Sequence, residues 1–392
     1  MQDITLGPFD ERGFVIDLRA LVGYLEQLTD PRGAQGKIYP LSCILIWMLL
    51  AILCGENTPN GIFEWVRLRQ ETLVRLFACK HARTPCLNTY RTVLSQVISQ
   101  EELQTVLRHF LLTQYGGQRS ILVAIDGKTM RGTIPPGASN GVHLLAAYLP
   151  EEGIVLAQVA VQGQTNEIGA APALLEQVEL KNRVVCGDAM HTQRDISVTI
   201  MAAGGDYLWL LKDNQPTTLA DVQQFFEPPR VAAGWHPPTL PSQTARAVQK
   251  GHGRLEKRRL TSIVDEHGYL DWPGVQQVFM LERAVTDISS GEIRSETVYG
   301  LTSCPPEKAD AEQLLQWTQA YWGIENGLHY RRDVTMGEDR IRITNRRFAE
   351  VLAILNNFVV GLAQKLHFAN LASARRQFDA KTTQLLAAVH DY

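Results

Sequence analysis

ILVAIDGKTMRG, residues 121–132, opens with apolar residues that run without interruption into Asp126-Gly127-Lys128. A run this short, bounded by turn chemistry, predicts a buried strand rather than a helix. The same construction recurs in VVCGDAMHTQ, residues 184–193. There the apolar run stops on Gly187 and sets down Asp188, with His191 and Gln193 just behind it. One aspartate after a strand is common turn chemistry. Two such strand ends in one chain point to a shared site.

Working outward, the runs ILVAID, HLLAAYL and GIVLAQVAV follow one another quickly after Gly116-Gly117, as in an antiparallel meander. A helical stretch follows (IGAAPALLEQVEL), then the strand RVVCGD, a second helix (TQRDISVTIMAAG) and the strand DYLWLLK at 206–212. This order predicts an α/β fold with a mixed sheet and helices on its faces, the order of the ribonuclease-H-like fold. Upstream, from about residue 14 to 115, apolar residues recur at three-and-four spacing, which predicts an all-helical domain. Residues 214–306 carry Pro-rich turns (EPPR, GWHPPTLP) and strand-like pieces (GVQQVFMLERAV, ETVYGLTS) and read as a β-rich insertion; the chain turns helical again near 308. The expected organisation is a helical domain over 1–117, a catalytic core over 118–213 and 307–392, and the insertion over 214–306.

Composition is that of an ordinary globular protein: 392 residues, 45% hydrophobic and 20% charged, with a formal net charge of −3. Nucleic-acid binding would therefore rest on local basic patches. Two stand out. Arg67, Arg69, Arg75, Lys80, Arg83 and Arg91 gather in the later half of the helical domain, as a solvated face or a DNA-contacting one. Arg246 to Leu260, RAVQKGHGRLEKRRL, is the densest basic segment and holds Lys250, Arg254, Lys257, Arg258 and Arg259, suited either to phosphate contacts or to a solvated hairpin. The six cysteines show no CxxC pair and read as reduced core residues, without structural zinc. The apolar stretch from Pro40 to Cys54 falls short of the about 20 residues that span a bilayer, so a buried core helix is expected. No secretory signal is visible in MQDITLGPFDERG, and a cytoplasmic protein is expected.

Two aspartates that are to hold a pair of divalent ions need a third acid. In YWGIENGLHYRRDV, α-helical spacing of about 100° per residue aligns Tyr321, Glu325, His329 and Arg332, and Glu325 is the leading candidate. Asp339 and Glu167 rank behind it; Glu167 follows Asn166 at a helix start, where capping explains it as well. Asp213, Asp333 and Glu338 also compete. His191 lacks a second ligand at metal spacing and reads as a hydrogen-bonding neighbour of Asp188. Lys128 points to the side of Asp126 and could hold a phosphate or serve only as a turn lysine.

These stretches resemble the DDE insertion-sequence transposases of the ISAs group, which includes the H-repeat-associated proteins. The likeness runs nearly end to end: DPRGAQGKIYPL and PCLNTY, then AIDGKTMRG, TNEIGAAPALL, GDAMHTQ, GGDYLWLLKDNQP, HGRLEKR, and WGIENGLH with DVTMGED. Carried over residue by residue, the family's acids fall on Asp126, Asp188 and Glu325. The resemblance implies a ribonuclease-H-like core, two Mg²⁺ ions for which Mn²⁺ can substitute, and DNA cleavage at element ends followed by strand transfer. It also implies double-stranded DNA as partner, both terminal repeats and target, and a homodimer or larger assembly. Lys128, Arg131, Lys250, Arg254, Lys257, Arg258, Arg259, His329 and Arg332 are the expected DNA contacts; Asn166, Glu167, His191, Gln193 and Asp339 are expected accessories. The chain departs from the family at Gln164, Gln319, Tyr321 and Arg331-Arg332. These departures concern DNA-end contacts and leave two alternatives open, a domesticated DNA-binding protein and a nuclease that cuts without joining.

Overall fold

The computed structural model describes residues 9–10, 13–14, 18–115, 120–162, 166–227, 240–251, 253–366, 368 and 370–389. The expected boundary at Gly116-Gly117, Gln164 and most of the Pro-rich start of the insertion lie outside them. The chain divides into two compact units. One comprises residues 1–120, 127–162 and 324–392, the other 121–126 and 163–323.

The first unit is mostly helical. A short pair of strands, β1 (Phe9–Asp10) and β2 (Gly13–Phe14), precedes α1 (Arg19–Leu25), α2 (Leu41–Leu53), α3 (Pro59–Leu68), α4 (Gln70–Leu76), α5 (Leu87–Thr92) and α6 (Gln100–Tyr115). Every residue of α2 is buried, as its unbroken apolar sequence requires; no helix among the described residues is long and apolar enough to cross a membrane. Thr58 starts α3 by accepting from the Gly61 amide at 3.1 Å, with Pro59 in the first turn, where its missing N–H leaves no partner wanting. The last residues of β3 (Leu122–Met130) lie beside the hairpin β4 (Val142–Leu149) and β5 (Ile154–Val161), in the order β5-β4-β3. The C-terminal helices of this unit are α11 (Arg346–Lys365), α12 (Leu371–Ala380) and α13 (Thr382–Ala387), and α11 packs on α6 and β5.

The second unit holds the start of β3, then α7 (Glu167–Leu175), β6 (Val184–Gly187), α8 (Arg194–Ala202), β7 (Asp206–Leu211) and α9 (Pro216–Gln224). The hairpin strands β8 (Ser242–Gly251), β9 (Arg254–Val264), β10 (Gln277–Asp287) and β11 (Ile293–Thr302) follow, then α10 (Ala311–Tyr321). Its strand order is β3-β6-β7-β11-β10-β9-β8. The first three are parallel, and β11 joins β7 antiparallel with Tyr299 opposite Leu211. The sheet is therefore mixed, as the strand and helix order predicts. Gly300 is required where β11 crosses between β10 and β7. A Cβ there would lie 2.1 Å from the Phe279 ring and 2.4 Å from the Trp209 carbonyl oxygen. The six cysteines are free; Cys43, Cys54, Cys186 and Cys304 are buried, while Cys86 is exposed.

Candidate active site

In the second unit the register of two parallel strands sets the site. Ala124 pairs with Cys186 and Ile125 with Gly187, so Asp126, inside β3, and Asp188, the first residue past β6, follow directly on paired residues; β3 does not end at Asp126 as the sequence suggests but runs on to Met130. Parallel neighbours lie about 4.8 Å apart. Gly187 is needed for the turn: a Cβ there would meet Ile125 Cγ1 at 3.0 Å and the His191 side chain at 3.1 Å. Asp188 then caps the short 3₁₀ turn Ala189–His191, its Oδ1 accepting from the Met190 amide at 3.0 Å.

The same Oδ1 lies 2.8 Å from His191 Nδ1, and Glu167 Oε2 lies 3.3 Å from His191 Nε2. His191 is fully buried between two carboxylates. Burial alone would lower its pKa, but Asp188 and Glu167 outweigh it and carry it up to about 9, so the ring is an imidazolium at neutral pH. Asp188 responds in kind: burial raises its carboxyl pKa, the hydrogen bond and charge of His191 lower it, and the net shift is downward. Glu167 reaches the cluster because Asn166 starts α7 with its side chain accepting from the Gly169 amide at 3.3 Å.

Tyr321, the last residue of α10, is buried within the electrostatic field of the acids. Burial, then the negative field of Asp126, Asp188 and Glu167, push its hydroxyl far above the ordinary phenol range. It is a neutral O–H donor at any physiological pH. Sequence reasoning placed Tyr321 only as a departure and a member of a helical stripe; its burial in the field of the acids has no local signature. Two further residues were missed. Asn214 Nδ2 donates to the Ala189 carbonyl at 2.6 Å and Gln215 Nε2 to the Thr192 carbonyl at 2.9 Å, pinning the turn that carries Asp188. The signal was present in the motif LLKDNQP, where attention fell on Asp213. Gln193 holds the same turn through the Met190 carbonyl at 3.0 Å.

The first unit carries Glu325 and most of the remaining candidates. Glu325 is exposed and opens a π-helical turn, Glu325–His329, followed by a second, Arg331–Thr335. The stripe expected from α-helical spacing does not form, because a π-turn bonds i to i+5 and moves each later residue off that face. His329 and Arg332 are buried while Glu325 is not. Arg332 lies fully buried with Nη2 2.8 Å from Glu338 Oε2, and its Nη1 donates to Asn357 Oδ1 at 3.2 Å. Lys128, expected to hold a phosphate, is buried and paired with Asp333, with Asp339 Oδ1 at 3.4 Å. Asp339 also accepts from the Arg131 amide at 3.0 Å, while the Arg131 side chain stays exposed. Burial and internal pairing thus set Lys128 and Arg332 apart from the solvent-facing cations, and burial alone sets His329 apart. Asp333, Glu338 and Asp339 serve those two cations, which accounts for them as competitors for the third-acid role.

Asp126, Asp188 and Glu167 offer oxygen donors, the chemistry that hard divalent cations prefer. Among the described residues, no group of three or more His, Cys, Asp or Glu is arranged to hold a metal ion by itself. An ion here would complete its shell with water and substrate oxygens, as Mg²⁺ characteristically does.

Residues 117–362 match the transposase DDE domain, and residues 22–111 match the domain associated with it. An uncharacterized protein from the dhlA 3′ region of Xanthobacter autotrophicus is 33% identical, over 66% of this chain and 86% of that protein. The putative transposase YncI of Escherichia coli O157:H7 is 28% identical over 88% of each chain. The H repeat-associated putative transposase YhhI of Escherichia coli K12 is 24% identical over 88% of this chain and 91% of its own.

Proposed function

The chain belongs to the transposase DDE domain family, and from that premise we propose that it cleaves DNA at the ends of a mobile element and joins the freed ends to target DNA through Asp126, Asp188 and Glu325. The observation that carries this reading is the strand register that brings Asp126 and Asp188 out side by side. Glu325 enters on the motif WGIENGLH. The chain order of three strands, helix, strand, helix, strand supports a ribonuclease-H-like reading of the sheet.

Members of this family work with divalent metal. The three carboxylates would hold it, as two Mg²⁺ ions or Mn²⁺ in their place. Bound there, the metal supplies Lewis-acid stabilisation of charge on the phosphoryl oxygens. The chain's own groups do the rest. His191 fixes the orientation of Asp188 and, set between Asp188 and Glu167, offsets part of the negative charge of the acid cluster. Tyr321 presents a neutral O–H donor to that cluster. Duplex DNA, as element ends and as target, is the substrate, and the working form is a homodimer or larger assembly on it.

The test uses the protein and its Asp188→Asn form with labelled duplexes from the DNA flanking its gene, in Mg²⁺, Mn²⁺ or EDTA, resolved on a denaturing gel. Metal-dependent cuts at a defined end, followed by joined products and absent in Asp188→Asn, are expected. Cuts without joined products would make it a nuclease. DNA retardation with no product in either metal would make it a domesticated binding protein, and full activity of Asp188→Asn would remove the aspartate from its role.

A further inference from the structure

The basic segment at 246–260 reads in sequence as one patch, but the strand register sorts it onto opposite faces of the sheet. Residues directly opposite one another in an antiparallel pair share a face, and alternate residues along a strand change face. Arg246 lies opposite Arg259, Val248 opposite Lys257, and Lys250 opposite Leu255. Arg246, Lys250, Lys257 and Arg259 are therefore one face's cations. Arg254 lies opposite Asp287 and Arg258 opposite Arg283, which puts both arginines on the other face.

The two faces are not electrically alike. On the other face Arg258 and Arg283 are answered within the sheet, and Arg254 stands across the register from Asp287. Glu256 Oε1 lies 2.8 Å from Arg258 Nη2 and also pairs with Arg283, and Glu296 lies 4.0 Å from Arg283. Burial raises the Glu256 carboxyl pKa, but the two arginines overcome it and the net shift is downward, as befits a working counter-ion. On the Arg246 face the carboxylate in the register is Glu282, 3.6 Å from Arg259. Among the described residues Arg246, Lys250 and Lys257 have no ion-pair partner, and all three are exposed. Val248, exposed between them, adds no charge, so Glu282 is the carboxylate that the register sets on this face.

We propose that this one face of the β8–β9 hairpin, through Arg246, Lys250, Lys257 and Arg259, is a sequence-independent contact for the phosphate backbone of duplex DNA, and that the Arg254 and Arg258 face is not. Like positions along a strand are about 7 Å apart, so the cations form a row rather than a cluster. A row of cations of which three lack an ion-pair partner and one shares a single carboxylate fits a polyanion of regular charge spacing, and its affinity comes from counter-ion release. This rests on the transposase reading for the identity of the polyanion, but not on catalysis.

The test measures binding to a random-sequence duplex by fluorescence anisotropy across a salt series in EDTA, where no cleavage intervenes. Lys250→Gln and Lys257→Gln should each reduce the slope of log K against log salt by about 0.9, weakening binding roughly five- to tenfold at 0.1 M salt. Arg254→Gln, equally exposed on the same hairpin but on the other face, should bind as the parent does. Glu282→Gln, which removes a carboxylate from the active face, should bind more tightly, a gain that misfolding does not mimic. Equal losses from Arg254→Gln and Lys257→Gln, an unchanged slope in the lysine variants, or displacement of the duplex by an equal concentration of single-stranded RNA would each overturn the proposal. Because the readout is binding without metal, a failure here is separable from an absence of cleavage by the parent protein.

Discussion

Glu338→Ala is the substitution whose cost the structure fixes most closely. Arg332 and Glu338 are both fully buried, with Arg332 Nε 3.0 Å and Nη2 2.8 Å from one carboxylate oxygen. The other oxygen, Oε1, accepts from Asn356 Nδ2 at 3.1 Å. Removing the carboxylate leaves a guanidinium in the interior with Gln158 and Asn357 as its remaining partners. Breaking a buried pair by deleting one member costs about 3–5 kcal/mol, and the stranded Asn356 amide adds about 1 kcal/mol more. Against a typical total of about 5–15 kcal/mol this is a large share. With a urea dependence near 3 kcal/mol per molar, the midpoint should fall by about 1.5 M. The double variant Arg332→Met/Glu338→Leu should recover most of that loss, because an apolar pair of similar volume replaces a buried ion pair at little or no cost. Urea unfolding followed by circular dichroism measures both. A single-variant shift below about 0.3 M, or a double variant no better than the single, would refute the view that an uncompensated charge is what matters here.

Gly300→Ala should destabilise by on the order of 3 kcal/mol, because the new methyl meets a backbone carbonyl of β7 that cannot move aside; a thermal midpoint within a degree of the parent would count against the register given for β11. The His191 ring has its pKa raised from 6.5 to about 9, so its stabilising effect is complete below pH 6.5 and disappears as pH rises through about 9. Measured in EDTA, stability should drop by roughly 3 kcal/mol across that window, and His191→Gln should flatten the drop. An identical pH profile for the two proteins would contradict the pairing with Asp188 and Glu167.

Much of the second unit was legible because its strands advertise themselves. ILVAID and RVVCGD are short, apolar and rich in β-branched residues, so both strands could be read; RVVCGD halts at Gly187 as its turn chemistry says, whereas β3 runs through Asp126-Gly127-Lys128 to Met130, so the turn signal there did not end the strand. The relation of Asp188 to His191 was legible for a similar reason, since three residues span one tight turn. What escaped reading depended on packing or on backbone hydrogen bonding that carries no periodic signature. The π-turn at Glu325–His329 breaks the 3.6-residue rule on which the stripe was drawn, and no residue in WGIENGLH announces it. Lys128 and Arg332 look like exposed cations in sequence, yet Lys128 meets Asp333 from 205 positions away, Arg332 meets Glu338 six residues on, and only the fold buries both cations with those carboxylates. The sorting of RAVQKGHGRLEKRRL onto two faces needed the register with β10, set by residues more than twenty positions away.

The pairing of β7 with β11 also bears on how the protein is made. Asp188 sits at the end of β6, whose neighbour β7 has its other edge closed by β11, with Leu211 opposite Tyr299. About 90 residues separate those two positions. At roughly 5–20 residues per second, synthesis leaves β7 with an open edge for roughly 5–18 s. An open apolar edge invites pairing with other chains. Any chain that stops inside the hairpins would keep that edge and lack the segment carrying Glu325. Premature termination should therefore yield an insoluble product rather than a partly active one.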